Sequence, residues 1–198
     1  IREFPMPATL MEANAFIGLV GWYGRFIPDF AAIARPIHSV TNKTKSRRKE
    51  FFWASEQAAA FEQLKTIVTS APLVLDFPDA TAPFVLSTDA SDIGAGAVLK
   101  QEIDGKQRVI YYFSQLFNRA QRNYSTIERE ALAIWLAVNK LRSFLLGAEF
   151  TIETDHCPLC DFYPKKCRNR RIDCWGVLLA DYNIASIKYK KGKCNCDA

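Results

Sequence analysis

In Phe84-Val-Leu-Ser-Thr-Asp-Ala-Ser-Asp-Ile-Gly-Ala-Gly-Ala-Val-Leu-Lys100 the period of the sequence changes from helical to extended. Phe84 to Thr88 alternates as a strand, and Gly94 to Lys100 reads as a second strand of small residues. Arg108 to Phe113 is a third. Short spacers predict that the three form an antiparallel meander. Downstream, Tyr124 to Phe144 carries Leu132, Ala133, Leu136, Val138 and Leu141 as the buried stripe of a long helix. Glu149 to Thr154 is a fourth strand, Ile172 to Asp181 a helix, and Ile184 to Tyr189 a fifth strand. The helix between strands three and four marks that pair as a parallel crossover. The order βββ, α, β, α, β describes a mixed α/β domain.

Upstream the pattern is helical. Met11 to Phe26 places Phe16, Leu19, Val20, Tyr23 and Phe26 on one face, with Pro28 as its stop. A second helix is expected over residues 30–40. Ser55 to Thr69 forms a third, with Ser55 as N-cap and Ala59, Phe61, Leu64, Ile67 and Val68 on one side. The basic run Thr41-Asn-Lys-Thr-Lys-Ser-Arg-Arg-Lys49 has no period and reads as a loop. Pro72 and Asp76-Phe-Pro-Asp79 put a boundary near residues 75–80.

The chain has 198 residues, 49% hydrophobic and 24% charged, with a net charge of +5. This is the composition of a soluble globular protein, not of a disordered tail or a membrane bundle. No signal peptide or membrane-spanning stretch is present, so no membrane partner is expected. The chain does not begin with Met, which suggests a piece of a longer precursor. Residues 156–198 hold nine basic residues against four acidic ones, and so carry the whole excess of charge. They also hold all six cysteines. A body without cysteine is expected in a reducing, intracellular setting.

Four acids stand out by position. Asp89 ends the first strand, Glu130 lies in the long helix, Asp155 ends the fourth strand, and Asp197 follows the fifth. Carboxylates that converge repel one another, and divalent cations relieve that cost. Oxygen ligands in this number suit Mg²⁺ or Mn²⁺. Two such ions about 4 Å apart activate water and stabilise the leaving oxygen of a phosphodiester. The plainer reading of any one acid at a strand end is a solvated turn residue.

Three segments carry a family resemblance. Ser87-Thr-Asp-Ala-Ser-Asp-Ile-Gly-Ala-Gly-Ala-Val-Leu99, Asn123-Tyr-Ser-Thr-Ile-Glu-Arg-Glu-Ala-Leu-Ala-Ile134 and Phe150-Thr-Ile-Glu-Thr-Asp-His-Cys-Pro-Leu159 resemble the ribonuclease H domain of gypsy-class LTR retrotransposon Pol polyproteins. Upstream, Phe16-Ile-Gly-Leu-Val-Gly-Trp-Tyr-Gly-Arg-Phe-Ile-Pro28 resembles the start of a reverse-transcriptase thumb, and Phe52-Trp to Leu64-Lys and Ala71-Pro-Leu-Val-Leu continue it. The resemblance implies a ribonuclease H-like mixed five-stranded sheet flanked by helices over residues 79–198, with its last helix truncated. It implies a small helical thumb-like or connection-like region over residues 1–78. It further implies two-metal cleavage, with Mg²⁺ or Mn²⁺, of the RNA strand of RNA–DNA hybrids. Asp89, Glu130, Asp155 and Asp197 match the family's metal-binding acids. Glu130 is preferred over Glu128 because it directly precedes Ala-Leu-Ala-Ile. Ser91, Tyr124, Ser125 and His156, within the same motifs, are implied contacts to the hybrid. The implied partners are that hybrid, a primer–template duplex, the polymerase domain upstream and the integrase downstream. The implied location is a cytoplasmic particle and the nucleus. Polymerase carboxylates belong to a region upstream of this chain.

Asn14, Gly18 and Trp22 are spaced four apart and share one helical face. Close backbone approach, a hydrogen-bonding amide and a flat ring suit the shallow minor groove of an A-like duplex. The alternative is a small-residue face packed on a neighbouring helix. The run at residues 43–49 is either a phosphate contact or a solvated loop.

The chain departs from the family at its end. Gly192-Lys-Cys-Asn-Cys-Asp-Ala198 is two residues shorter between Asn195 and Asp197 than the family's closing pattern, which leaves Asp89, Glu130 and Asp155 as a three-acid core. Cys157-Pro-Leu-Cys160 has zinc-like spacing, with Cys167, Cys174, Cys194 and Cys196 as the remaining thiols. A closed zinc site needs two such elements to meet, so scattered thiols are the preferred reading. The competing functional class is a decayed or domesticated copy that binds nucleic acid or protein without catalysis. An integrase-like transferase fits the order of the acids less well.

Overall fold

Thr126–Lys140, Phe84–Ala90 and Phe150–Thr154 are the helix and two strands that set the geometry of the acids, and they lie in the second of two units. The computed structural model describes residues 1, 3–41, 51–70, 75–156, 159 and 169–190. The chain divides into Ile1–Val74 and Leu75–Ala198.

In the first unit, α1 (Leu10–Gly21) begins at a capping box in which the Thr9 side chain accepts from the Glu12 backbone and Glu12 reaches back to Thr9. Its buried face is Ala13, Phe16, Ile17 and Val20. The expected helix to Phe26 is therefore too long: α1 ends at Gly21, and a separate 3₁₀ turn covers Gly24–Phe26. Gly21 and Gly24 weaken helix propagation there, and Leu19 faces solvent. α2 (Phe30–Val40) and α3 (Ser55–Ser70) complete a small core around Phe16, Ile37, Phe61 and Leu64. Ser55 is the first helical residue of α3 and not its cap. The reach-back comes from Gln57, whose side chain accepts from the Ala54 backbone. Ala60, not Ala59, joins the buried face.

The second unit is a five-stranded mixed sheet with helices, as the strand and helix order predicts. Its strands are β1 (Phe84–Ala90), β2 (Gly94–Ile103), β3 (Lys106–Leu116), β4 (Phe150–Thr154) and β5 (Ile184–Tyr189). Their spatial order is β3-β2-β1-β4-β5. The first three form the antiparallel meander, and β4 runs parallel to both β1 and β5. The crossover from β3 does not end beside β3. It passes two strands and pairs β4 with β1, because both hydrogen-bonding edges of β1 must be filled once it lies inside the sheet. β2 and β3 run longer than their apolar runs suggest. Asp104 and Gly105 both hold positive φ, 54° and 70°, the tight hairpin turn that an Asp-Gly pair favours.

α4 (Thr126–Lys140) packs on β1 and β2, with Ala131, Leu132, Ala133, Ile134, Leu136, Ala137 and Val138 buried. The expected helix from Tyr124 to Phe144 is split. Ser125 and Glu128 form a capping box that fixes the start, and a break at Leu141 separates α5 (Arg142–Leu145). α6 (Arg170–Leu179) packs on α4 and is capped by Asn169, whose side chain accepts from the Arg171 and Ile172 backbone.

The β1–β2 connection leaves no space at Gly94. A Cβ there would lie 2.7 Å from the Gln115 carbonyl oxygen and 3.3 Å from Leu116 Cα. Both are backbone atoms of β3, so neither can rotate away. Gly94→Ala is expected to destabilise the chain by about 1–3 kcal/mol, read as a lower urea midpoint. An unchanged midpoint would contradict the packing at this edge.

Candidate metal centre

The register of two parallel strands creates the site. Thr88 of β1 pairs with Thr154 of β4. The next residues, Asp89 and Asp155, therefore emerge side by side at one end of the sheet. α4 crosses that end and delivers Glu130 from its second turn. One carboxylate oxygen from each of Asp89, Glu130 and Asp155 lies within 4.8 Å of the others.

Their environments differ. Asp89 is exposed and Asp155 half-buried, whereas Glu130 is only 3% exposed. Its Oε2 is buried and has no hydrogen-bond partner. Burial first, then the charges of Asp155 and Asp89, push the Glu130 carboxyl up to about 8. A hydrogen bond from the Ala90 backbone and the charge of Arg129 act the other way. A buried carboxyl with one oxygen lacking a donor, grouped with two more acids, is an arrangement that a hard divalent cation satisfies. The three residues fit such an ion.

Two neighbouring glutamates have other tasks. Glu128 accepts from the Ser125 backbone and hydroxyl, each at 2.9 Å, from Asn169 at 3.1 Å and from Arg171 at 2.8 Å. The Ser125 backbone bond leads these in holding Glu128 down to about 2. Glu128 thus ties the start of α4 to the start of α6. Glu153 accepts from Ser87 Oγ at 2.6 Å and pairs with Lys100 at 3.0 Å and Lys190 at 3.3 Å. Burial pushes the Glu153 carboxyl up, but Ser87 and Lys100 bring it below its ordinary value. The alternation of β4 predicts that Glu153 shares a face with Asp155; its partner lysine, the buried Lys100, has no distinctive sequence signal.

The other candidates are dispersed. Ser91 Oγ accepts from the Ile93 and Gly94 backbone at 3.3 and 3.1 Å and closes the turn after β1. The Ser125 hydroxyl is spent on Glu128. The Tyr124 ring lies 4.5 Å from the Arg171 guanidinium and 6.3 Å from the Trp175 ring. His156 is half-buried, and its backbone N–H donates to Thr154 Oγ1 at 3.2 Å. In the first unit Asn14, Gly18 and Trp22 are all exposed. A Cβ at Gly18 would meet nothing within 4 Å, so this face is not packed on a neighbouring helix among the described residues. Asp197, the run at residues 43–49, and Cys157, Cys160, Cys167, Cys194 and Cys196 lie outside the described residues. Cys174 is an exposed free thiol.

Residues 79–182 match the family described as the RNase H-like domain found in reverse transcriptase. That segment contains Asp89, Glu130 and Asp155. The chain is 39% identical to the retrovirus-related Pol polyprotein from transposon gypsy of Drosophila melanogaster, over 98% of this chain and 19% of that polyprotein. It is 40% identical to the Pol polyprotein from transposon 297 of the same species, over 98% and 18%. It is 30% identical to the Tf2-3 polyprotein of Schizosaccharomyces pombe, over 98% and 15%. The chain thus spans about a fifth or less of the length of these relatives. Among solved structures, the foamy viral protease-reverse transcriptase in complex with RNA/DNA hybrid aligns with a TM-score of 0.77 at 21% identity, over 96% of this chain and 26% of that one. The foamy viral protease-reverse transcriptase dRH in complex with double-stranded DNA gives 0.78 at 22%, over 96% of this chain and 33% of that one.

The raised Glu130 gives a pH signature. Unfolded, this carboxyl returns to 4.5; folded, it sits near 8. Between those values the folded state keeps a proton that the unfolded chain has released, so stability falls as pH rises through this window. In chelator, wild type is expected to lose more melting temperature between pH 5 and pH 8 than Glu130→Gln. Added Mn²⁺ is expected to restore it at pH 8. Parallel melting curves for the two proteins would show that Glu130 is not strained by its neighbours.

Proposed function

This chain belongs to the family of RNase H-like domains found in reverse transcriptase, and from that premise we propose that its carboxylate centre cleaves the RNA strand of RNA–DNA hybrids within a retrotransposon Pol polyprotein. The observation that carries the reading is the buried carboxyl of Glu130, one oxygen of which has no donor, grouped with the carboxylates of Asp89 and Asp155. A structural carboxylate finds a donor, as Glu128 and Glu153 do. Glu130 has one backbone donor, Ala90, and its Oε2 has none, so a cation held with Asp89 and Asp155 would satisfy it.

Asp89, Glu130 and Asp155 would hold Mg²⁺ or Mn²⁺, which supplies a polarised phosphoryl oxygen and a more acidic water when bound. Two ions and Asp197 as a fourth ligand extend the same reading. The chain's own residues divide the remaining work. Asp89 is exposed, so it lies where a phosphodiester can reach it, while buried Glu130 keeps the inner side of the centre dry. Burial strengthens its hold on charge, because the local dielectric is low. Tyr124, backed by Arg171 and Trp175, offers a ring beside the start of α4 for a nucleic-acid strand.

In the first unit, the open face of Asn14, Gly18 and Trp22 would lie along the minor groove of a duplex. Trp22 is 72% exposed, and the Arg25 guanidinium lies 5.6 Å from its ring. An apolar ring this exposed costs solvation unless something covers it. The polymerase domain and integrase of the same polyprotein are the proposed partners in the longer chain.

Incubating the purified chain with a labelled hybrid and Mg²⁺ or Mn²⁺ tests the catalytic reading. RNA cleavage is expected, with Asp89→Asn slower by about 10²-fold or more. An uncut hybrid, or equal cutting by the variant, overturns it. The duplex face has its own test. Gly18→Ala is expected to stabilise α1 by about 0.5–1 kcal/mol, since nothing obstructs the added methyl. It should nevertheless weaken duplex binding several-fold, because the methyl bars close approach. Unweakened binding would show that the face does not touch the duplex.

A further inference from the structure

We propose that Arg129 is a positioning residue for the metal centre, fastening the turn that follows Asp89 to the helical turn that carries Glu130. The proposal rests on reading Asp89, Glu130 and Asp155 as ion ligands. Arg129 Nη1 donates to the Ser91 carbonyl oxygen at 3.4 Å and forms an ion pair with the Asp92 carboxylate. Both acceptors lie in the tight connection between β1 and β2. Ser91 Oγ already braces that turn from inside, and the Ser91 backbone donates to the Gly94 carbonyl at 2.9 Å. Arg129 therefore grips a closed unit. Through the Ala90–Ala95 and Asp89–Gly96 pairs, that unit is continuous with Asp89. Glu130 is the next residue along α4, so one clamp fixes both acids.

The burial pattern supports this role. The Arg129 side chain is only 15% exposed while its partner Asp92 is 89% exposed. A surface arginine ordinarily keeps its head in water and lets its stem lie on the protein. Here the guanidinium is drawn inward and its Nε is buried without a hydrogen-bond partner. Leaving a donor unsatisfied is costly, and so is removing a charge from water. Charge alone does not explain the placement either, since a cation beside a cation-binding centre repels the ion. What the arginine gains is geometry, because its Nη1 reaches two acceptors of the same turn at once.

Position and charge make opposite predictions. Removing the positive charge of Arg129 should tighten cation binding if only electrostatics matters. It should loosen binding if the clamp sets the spacing of Asp89 and Glu130. The test uses the whole chain without nucleic acid and titrates Mn²⁺ by calorimetry. Amide exchange at Ser91–Gly94 and thermal unfolding are measured alongside. Arg129→Gln is expected to weaken Mn²⁺ binding by about 10-fold or more and to speed exchange in the turn. Asp92→Asn, a change at an exposed carboxylate, should weaken it comparably, and the double variant no further than the weaker single. Arg129→Lys should recover part of the affinity. If Arg129→Gln unfolds, the Lys and Asn variants carry the comparison. Equal or tighter Mn²⁺ binding by Arg129→Gln in a folded protein overturns the proposal, as does unchanged affinity in both Arg129→Lys and Asp92→Asn. Absence of Mn²⁺ binding by the wild-type chain overturns the reading of the centre itself, and this inference with it.

Discussion

Thr88 and Thr154 are partners in a parallel ladder, so the acids that follow them are held shoulder to shoulder at the end of the sheet. Like charges at this separation resist being brought together, and a third carboxylate added from a helix sharpens the conflict. The fold must therefore hold Asp89, Glu130 and Asp155 by interactions that owe nothing to the acids. It does so with apolar packing. Residues 131–134 of α4 are buried one after another, against the sheet and against α6. A helix buried on more than one side cannot roll to relieve its own Glu130. The strain that remains appears as a raised proton affinity rather than as a displaced side chain.

Three glutamates of this unit, Glu128, Glu130 and Glu153, differ in the donors that the fold supplies to them. Glu128 and Glu130 are two residues apart on α4 and so project in different directions. Glu128 meets Asn169 and Arg171 at the start of α6 and is held ionised far below the ordinary range. Glu153 lies two residues before Asp155 on β4, but Ser87, Lys100 and Lys190 surround it. Glu130 receives a hydrogen bond from Ala90 and little else. The distinction lies in the donors supplied to each carboxylate, which the residue type does not reveal.

The same logic explains which features were legible in the sequence. Strand alternation, the apolar stripe of the long helix and acids at strand ends are local patterns, and they point to a mixed sheet and to Asp89, Glu130 and Asp155. The Asp104-Gly105 pair was equally local and would have lengthened both strands of its hairpin. What could not be read were the partners reached across the fold. Pairing of β4 with β1 instead of β3 follows from filling both edges of β1, a property of the whole sheet. Lys100 sits in an unremarkable strand, and Arg129 in a helix where an exposed basic residue would be ordinary. Their roles depend on Glu153 and on Asp92, and neither pairing has a period or a motif.

The basic excess of residues 156–198 takes on a different meaning for the same reason. Read as a sum, it is a reservoir of charge for phosphates. In the fold, part of it is already committed. Arg171 neutralises Glu128 and stacks on Tyr124. Lys190 donates its backbone N–H to Thr154 and its ammonium to Glu153. An ion pair that is formed in the free protein contributes little counter-ion release when nucleic acid arrives, since its charge is already compensated. Among the described residues of that segment, Arg170 and Lys188 are the exposed cations with no salt bridge. Among these described residues, any attraction for a polyanion would be set by which cations the fold leaves uncompensated, not by the net charge of the segment.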